Sequence, residues 1–196
     1  SISDGTLGLM PMTYGLYASG EWSLERGQNL LDGGAPFYRT YETSDGRYVA
    51  VGAIEGKFFR ELLRKLGLEE QIDASRQNDR DTWPEATALF AGTFAKKTRD
   101  EWAKLFETSD ACVTPVLDMS EAPGHPQQLA AGAFIEIDGV RQPAPVPKFS
   151  AMQHTPRDGA PEVGAHTEEV LARLGYSEKE LAELGRNGLI ANGLVA

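Results

Sequence analysis

The chain has 196 residues, 41% of them hydrophobic, which is enough to bury one good core or two small ones. It carries 29 acidic and 19 basic side chains, a net charge of −10 at pH 7, and this field opposes nucleic acid, anionic membranes and the phosphates of a nucleotide. No apolar run in the sequence approaches the roughly 18 residues that a membrane-spanning helix requires.

The first predicted element is a helix. Residues 6–22 are apolar and small, with a proline near the start, and predict one buried helix that contains Met10 and Met12. Methionine is flexible and polarizable, so these two side chains either fill the core or line a surface for a variable apolar ligand. A polar connector over residues 21–31 follows.

Residues 32–55 predict a bend, a β-hairpin and a carboxylate at the end of a strand. Residues 32–36 (DGGAP) are a cluster of breakers. Residues 37–54 first alternate apolar and polar side chains, then turn at SDGR and end in a nearly continuous apolar run, typical of a strand covered on both faces. Glu55 follows at once. A carboxylate held there suits acid/base chemistry or the orientation of another base, and the alternative is a helix N-terminal residue that the helix dipole favours.

The following residues predict three helices and a strand. Apolar residues recur at spacings of three and four from Phe58 to Leu66, and Gly67 is placed to end this helix. Two capping boxes, at residues 82–85 and 98–101, begin two more helices. A short strand within residues 112–117 completes a small α+β domain, which we place at residues 36–118.

Cys112 is the single cysteine of the chain. A disulfide framework is therefore excluded, and a reducing, cytoplasmic compartment is favoured. Nothing basic adjoins this residue in sequence, so we expect it to pack in the core and not to act as a reactive thiol.

Beyond residue 118 the composition changes. Residues 119–165 are rich in proline and predict an extended linker, interrupted by one hairpin around Asp138 and Gly139. Residues 166–196 predict two short helices, with His166 beside the cap of the first and a capping box at residues 177–180 beginning the second. The chain has three histidines, His125, His154 and His166. They are isolated in sequence and lack metal-ligand spacing, so no metal is expected.

Four motifs carry a family resemblance. Residues 27–38 read GQNLLDGGAPFY, residues 51–55 read VGAIE, residues 110–117 read DACVTPVL and residues 164–169 read GAHTEE. In this order, and over essentially the whole chain, they resemble the motifs of the α-methylacyl-CoA racemases, a branch of the family III CoA-transferases. Residues 143–150 (PAPVPKFS) resemble the proline-rich linker of that family.

The resemblance implies a partial family III CoA-transferase fold, in which the small domain is flanked by segments of a Rossmann-like large domain that binds coenzyme A. Residues 1–35 and 166–196 are expected to belong to or dock on that large domain. Family members carry a catalytic His and a catalytic Asp in a preceding half, and neither motif occurs here. We therefore expect this chain to be a C-terminal half that is inactive alone, completed by the missing N-terminal half and assembled as an interlocked homodimer.

The resemblance also implies an activity, proton transfer at the 2-methyl centre of an acyl-CoA thioester through an enolate, with no cofactor. Carried over residue by residue, it gives one catalytic residue, Glu55, expected to lie against the catalytic His and orient it. Ile54, Met10 and Met12 are expected to contact the acyl chain. Two alternatives remain, a family III CoA-transferase that moves coenzyme A between carboxylic acids and a non-catalytic interaction fragment. No nucleic acid or membrane partner is expected.

Overall fold

The computed structural model describes residues 1–152 and 159–190. The chain forms two compact units, Ser1–Leu117 and Asp118–Ala196. The finer division into residues 1–35, 36–118, 119–165 and 166–196 stays a prediction. His154, and Pro156 of the proline-rich segment, lie outside the described residues.

A three-stranded antiparallel sheet lies at the centre of the first unit, in the order β1-β2-β3. Its strands are β1 Tyr38–Glu42, β2 Tyr48–Gly52 and β3 Val113–Pro115. Glu42 pairs with Tyr48 across the turn, where Gly46 has φ 70°, so the predicted hairpin is confirmed. The prediction that β2 is covered on both faces is wrong. Val49 is buried, but Tyr48 on the opposite face is exposed, because helices cover only one side of the sheet.

Three amphipathic helices bury their apolar sides against that covered face. They are α3 Gly56–Leu66, α4 Trp83–Phe94 and α5 Arg99–Phe106. Aromatic rings bind the layers together: the ring centroid of Tyr41 on β1 lies 5.1 Å from that of Phe94, stacked, and Phe37 meets Phe59 edge-on at 5.5 Å. The α+β class predicted from the sequence is confirmed, as are three strands and three helices between residues 37 and 117.

The helix ends show which sequence signals hold. Gly67 ends α3 in the left-handed conformation at φ 69°, as predicted. Thr98 and Glu101 form a complete capping box at the start of α5. The box predicted at Thr82 is wrong: its backbone is already helical, and its hydroxyl donates to the Asp79 carbonyl at 2.7 Å instead of capping α4.

A polar knot precedes the hairpin. The Asp32 carboxylate accepts hydrogen bonds from the backbone N–H groups of Gly27, Asn29 and Gly34 and from the Asn29 side chain. Asn29 is buried and bonds in turn to the backbone of Ser23. A Cβ on Gly34 would lie 2.7 Å from the Asn29 nitrogen, so only glycine fits this approach. The knot fixes how the chain enters β1.

The single buried helix predicted for residues 6–22 is wrong. The chain forms two short helices, α1 Ile2–Gly8 and α2 Pro11–Ala18, and neither contains a buried residue. The break falls at Met10, because Pro11 has no N–H to continue the first helix and is suited to the first turn of the next.

The second unit contains short elements. They are the helices α6 Pro126–Ala130, α7 Thr167–Arg173 and α8 Glu178–Arg186, and the strands β4 Phe134–Ile137 and β5 Val140–Pro143. The hairpin around Asp138 and Gly139 is confirmed, and both turn residues have positive φ. The prediction that the linker is otherwise extended is wrong, because Ala122–Gly124 and α6 are helical. Among the described residues of this unit, none is buried.

Candidate functional site

The candidate site lies where the central strand ends. After Gly52 the chain leaves the sheet, and Glu55 becomes the N-cap residue of α3 with an extended backbone (φ −75°, ψ 138°). The Glu55 carbonyl accepts from the N–H groups of Phe58 and Phe59 at 2.9 and 3.0 Å. Its side chain is exposed and makes no capping hydrogen bond. Glu55 therefore occupies the helix N-terminal position that the alternative interpretation gave it, and its carboxylate faces solvent.

The segment that presents Glu55 is held from three directions. The Gly52 N–H donates to the Cys112 carbonyl and the Ala53 N–H donates to the Phe37 carbonyl, each at 2.9 Å. In addition, the Gln77 side-chain amide donates to the carbonyls of Ala53 and Ile54 at 3.1 and 2.8 Å. Held in this way, the carboxylate projects from a fixed backbone, which suits an acid/base or orienting group.

Gln77 was not recognised from the sequence. It falls in residues 71–81, which read as a polar loop, and nothing in the local pattern distinguishes this glutamine from its polar neighbours. In the structure it is 8% exposed and follows the short 3₁₀ turn Ala74–Arg76. Only the long-range packing of that turn against the end of β2 reveals its contacts.

Cys112 lies beside the candidate site and not in the core. Its side chain is exposed and its backbone is left-handed at φ 53°, so the expectation of core packing is wrong. Desolvation raises the pKa of the Cys112 thiol, and the Glu55 and Asp110 carboxylates raise it further. A raised pKa keeps the thiol protonated at neutral pH, which agrees with the expectation that it is not a reactive nucleophile.

The other predicted site residues occupy two places. Ile54 directly precedes Glu55 and is 36% exposed, so its side chain is available at the same strand end. Met10 is the N-cap residue of α2 and is partly exposed, and Met12 on that helix is 61% exposed. The alternative that both methionines fill the core is therefore wrong. A contact of either with substrate stays a prediction.

The possible metal ligands in the described part of the chain are His, Cys, Asp and Glu side chains. Across residues 1–152 and 159–190, no group of three or more His, Cys, Asp or Glu side chains could hold a metal ion. His125 caps α6 with its side chain. His166, predicted to lie beside the cap of α7, is itself the N-cap residue of that helix. In the same described part of the chain, no helix is long and apolar enough to cross a membrane.

Comparisons with known proteins agree on one family. The sequence profile of CoA-transferase family III matches residues 1–167. The mouse α-methylacyl-CoA racemase is 43% identical over 195 residues, which is 97% of this chain and 50% of the mouse protein. The human α-methylacyl-CoA racemase is 43% identical over 178 residues, which is 89% of this chain and 46% of the human protein.

A solved structure supports the same fold. The crystal structure of a CaiB/BaiF family protein from Brucella suis superposes with a TM-score of 0.61, at 21% identity, over 85% of this chain and 45% of that one. At this identity the likeness concerns the fold alone. The chain spans about half the length of the curated relatives it matches.

Proposed function

Because the chain belongs to CoA-transferase family III, we propose that it forms part of an enzyme that racemises the 2-methyl centre of branched acyl-CoA thioesters. One observation carries the proposal: the 43% identity to α-methylacyl-CoA racemases extends over nearly the whole chain. The other features of the site are compatible with this reaction.

The proposed chemistry is the transfer of a proton at the carbon next to the thioester carbonyl. It requires a base on one face of that carbon, an acid on the other, and donors for the enolate oxygen. Glu55 is proposed to orient and stabilise a protonated histidine supplied by residues outside this chain, as a carboxylate does for an imidazolium. A carboxylate that projects from a hydrogen-bonded strand end and makes no capping hydrogen bond is suited to that task. Ile54, Met10 and Met12 are proposed to contact the acyl chain.

The assembly and setting belong to the same proposal. The partners would be an N-terminal half of the same enzyme, its acyl-CoA substrate and a second copy in an interlocked homodimer. The exposed apolar side chains of the second unit support such a covering partner, among them Val163, Leu174 and Leu189. The proposed setting is lipid metabolism in a reducing, cytoplasmic compartment, which the single unpaired Cys112 favours. No cofactor is proposed.

The test uses the full-length enzyme. Glu55→Gln should lower kcat for exchange of the substrate α-proton in deuterated water about 100-fold while changing KM little, because the carboxylate acts on the base in the transition state. Ser44→Ala, on the distant hairpin turn, is the control and should leave both constants unchanged. An unchanged kcat with a raised KM would assign Glu55 to substrate binding instead.

The alternatives are separated by product analysis. A family III CoA-transferase would move coenzyme A to a second carboxylic acid without washing out the α-proton. A non-catalytic interaction fragment would do neither in any assembly. The isolated chain is expected to show neither activity nor coenzyme A binding, and α-proton exchange by the purified chain above background would refute the need for a second half.

A further inference from the structure

Gln77 contacts two residues of the candidate site that lie far from it in sequence. Its side-chain NH₂ donates to two successive carbonyls, 24 and 23 residues earlier in the chain. Two carbonyl acceptors require the nitrogen of the amide on this side, so the orientation of the amide is fixed by its partners. The second of these carbonyls, that of Ile54, belongs to the peptide unit that also contains the Glu55 nitrogen. Holding both carbonyls therefore fixes the peptide plane from which Glu55 projects.

Gln77 is itself held in place. The Trp83 indole N–H donates to the Gln77 carbonyl at 2.9 Å, in a fully buried bond. The Trp83 ring meets Phe37 edge-on with centroids 5.9 Å apart, and the Phe37 carbonyl accepts from the Ala53 N–H. The contacts thus form a closed circuit from Ala53 through Phe37, Trp83 and Gln77 back to Ala53. A circuit of this kind leaves the strand end little freedom to rotate.

Loss of the Gln77 hydrogen bonds would also be energetically costly. Ala53 is completely buried, so loss of the donor would leave its carbonyl without this bond in a water-poor place. The peptide could regain partners only by turning toward solvent, which would re-aim the next residue. That residue is Ile54, whose own carbonyl is the second one that Gln77 holds, and Glu55 follows it as the N-cap residue of α3.

We propose that Gln77 is a positioning residue that sets the direction of the Glu55 carboxylate by clamping the Ala53 and Ile54 carbonyls. The catalytic consequence rests on the proposed function, whereas the clamp itself does not. A displaced partner of a catalytic group typically costs 10–100-fold in activity, so the effect is large enough to measure.

The decisive experiment is a double-mutant cycle in the full-length enzyme, using Gln77→Met, which keeps the length of the side chain and removes both donors. We expect kcat for α-proton exchange to fall about tenfold with KM within about twofold. In a Glu55→Gln background the same change should lower kcat by less than about twofold, because the group being positioned is gone. A merely structural loss would lower the active fraction equally in both backgrounds, and that additive result would overturn the proposal.

A matched control separates positioning from instability. Leu66 is also 8% exposed but lies at the far end of α3, about 16 Å along the helix from Glu55 at 1.5 Å per residue. Leu66→Ala should destabilise the fold yet leave kcat of the folded enzyme unchanged. An equal loss of kcat in Leu66→Ala and Gln77→Met would overturn the positioning role.

A second readout needs no activity. In the full-length enzyme, amide hydrogen exchange over residues 53–59 should quicken at least about tenfold more than over the rest of residues 37–117 in Gln77→Met, whereas in Leu66→Ala residues 53–59 should quicken no more than the rest. Unchanged exchange in Gln77→Met would overturn the clamp. If exchange quickens but Glu55→Gln alone keeps the wild-type kcat, the clamp is supported and the proposed catalytic role of Glu55 is refuted.

Discussion

The two units of this chain use the same local devices with opposite results. Each has an antiparallel hairpin with positive-φ residues in its turn, and each has a helix begun by a complete capping box. Only the sheet–helix body, which we define as residues 35–117, buries side chains in quantity. Among the described residues of the tail unit, which we define as Asp118–Ala196, none is buried. Local signals therefore suffice to form an element, but burial requires apolar faces that meet.

The aromatic content explains much of the contrast. In the body, rings from β1, α3, α4 and α5 touch in a continuous series that runs from Phe37 to Phe106. Each such ring removes a large apolar area from water and adds a directional contact. The tail unit has Phe134, Phe149 and Tyr176, and among the described residues no ring contact joins any of the three to another ring. Four predictions test how far the body and the tail unit differ.

The largest difference is expected for core truncation. Phe90→Ala removes a fully buried ring that lies between Tyr41 and Phe59, so the free energy of unfolding should fall by about 3–5 kcal/mol. Leu129→Ala in the tail unit removes a side chain that is 65% exposed and should change it by less than about 0.5 kcal/mol. Urea denaturation followed by far-UV circular dichroism, which reports on the helices of both units, measures both. Equal losses would show that the tail unit has a core of its own.

The next effect concerns backbone packing at the entry to the body. Gly34→Ala places a methyl group 2.7 Å from the Asn29 nitrogen, and such overpacking should cost about 1–3 kcal/mol of unfolding free energy. Gly92→Ala in α4 is the control, because a Cβ there meets nothing within 4 Å. It should stabilise the chain by about 0.5–1 kcal/mol through helix propensity. A harmless Gly34→Ala would mean that the polar knot can relax.

The capping boxes give a smaller and more direct comparison. Glu101 accepts from the Thr98 N–H, and Glu180 from the Ser177 N–H, both at 2.8 Å, so the two caps are nearly identical. Thr98→Ala should cost about 1 kcal/mol of global stability, because α5 buries Trp102 and Phe106. Ser177→Ala should leave the unfolding of the body unchanged and raise amide exchange in α8 about fivefold, the same energy expressed locally. A loss of unfolding free energy of the body in Ser177→Ala would show that α8 and the body unfold together.

These contrasts also mark how far the sequence could be interpreted. The hairpin of β1 and β2, the amphipathic helix ending at Gly67 and the two confirmed boxes follow from short-range patterns, and all were predicted. The prediction of a capping box at Thr82 is wrong because the local pattern does not show that the Thr82 hydroxyl donates a hydrogen bond to the preceding turn. The helix at residues 6–22 failed because an apolar composition was taken as burial.

The candidate site divides in the same way. Glu55 and Ile54 could be placed at the end of β2, since a strand followed by a helix fixes the order of the chain. Gln77 could not, because its contacts depend on a loop that returns from over twenty residues away. Cys112 was misplaced because it lies just before β3 with a left-handed backbone, where the alternation of a strand does not apply. The contacts that could not be predicted from the sequence are those made by long-range packing.

The smallest effect is the pH dependence of two similar carboxylates. Burial acts to raise the pKa of Asp32, but hydrogen bonds from Asn29, Gly27 and Gly34 outweigh it and hold that pKa below the ordinary 3.8. A hydrogen bond from Ser120, with others from backbone N–H groups, likewise lowers the pKa of Asp118 at the start of the tail unit. A carboxyl whose pKa is lower when folded stabilises the fold above its unfolded pKa and loses that contribution as the pH falls.

Asp32→Asn should therefore reduce the urea midpoint at pH 7, and its difference from wild type should shrink as the pH falls below about 4. Asp118→Asn should leave the midpoint unchanged at both pH values, because all three tryptophans report on the first unit, at Trp22, Trp83 and Trp102. A pH-dependent midpoint difference in Asp118→Asn would show that the two units unfold together.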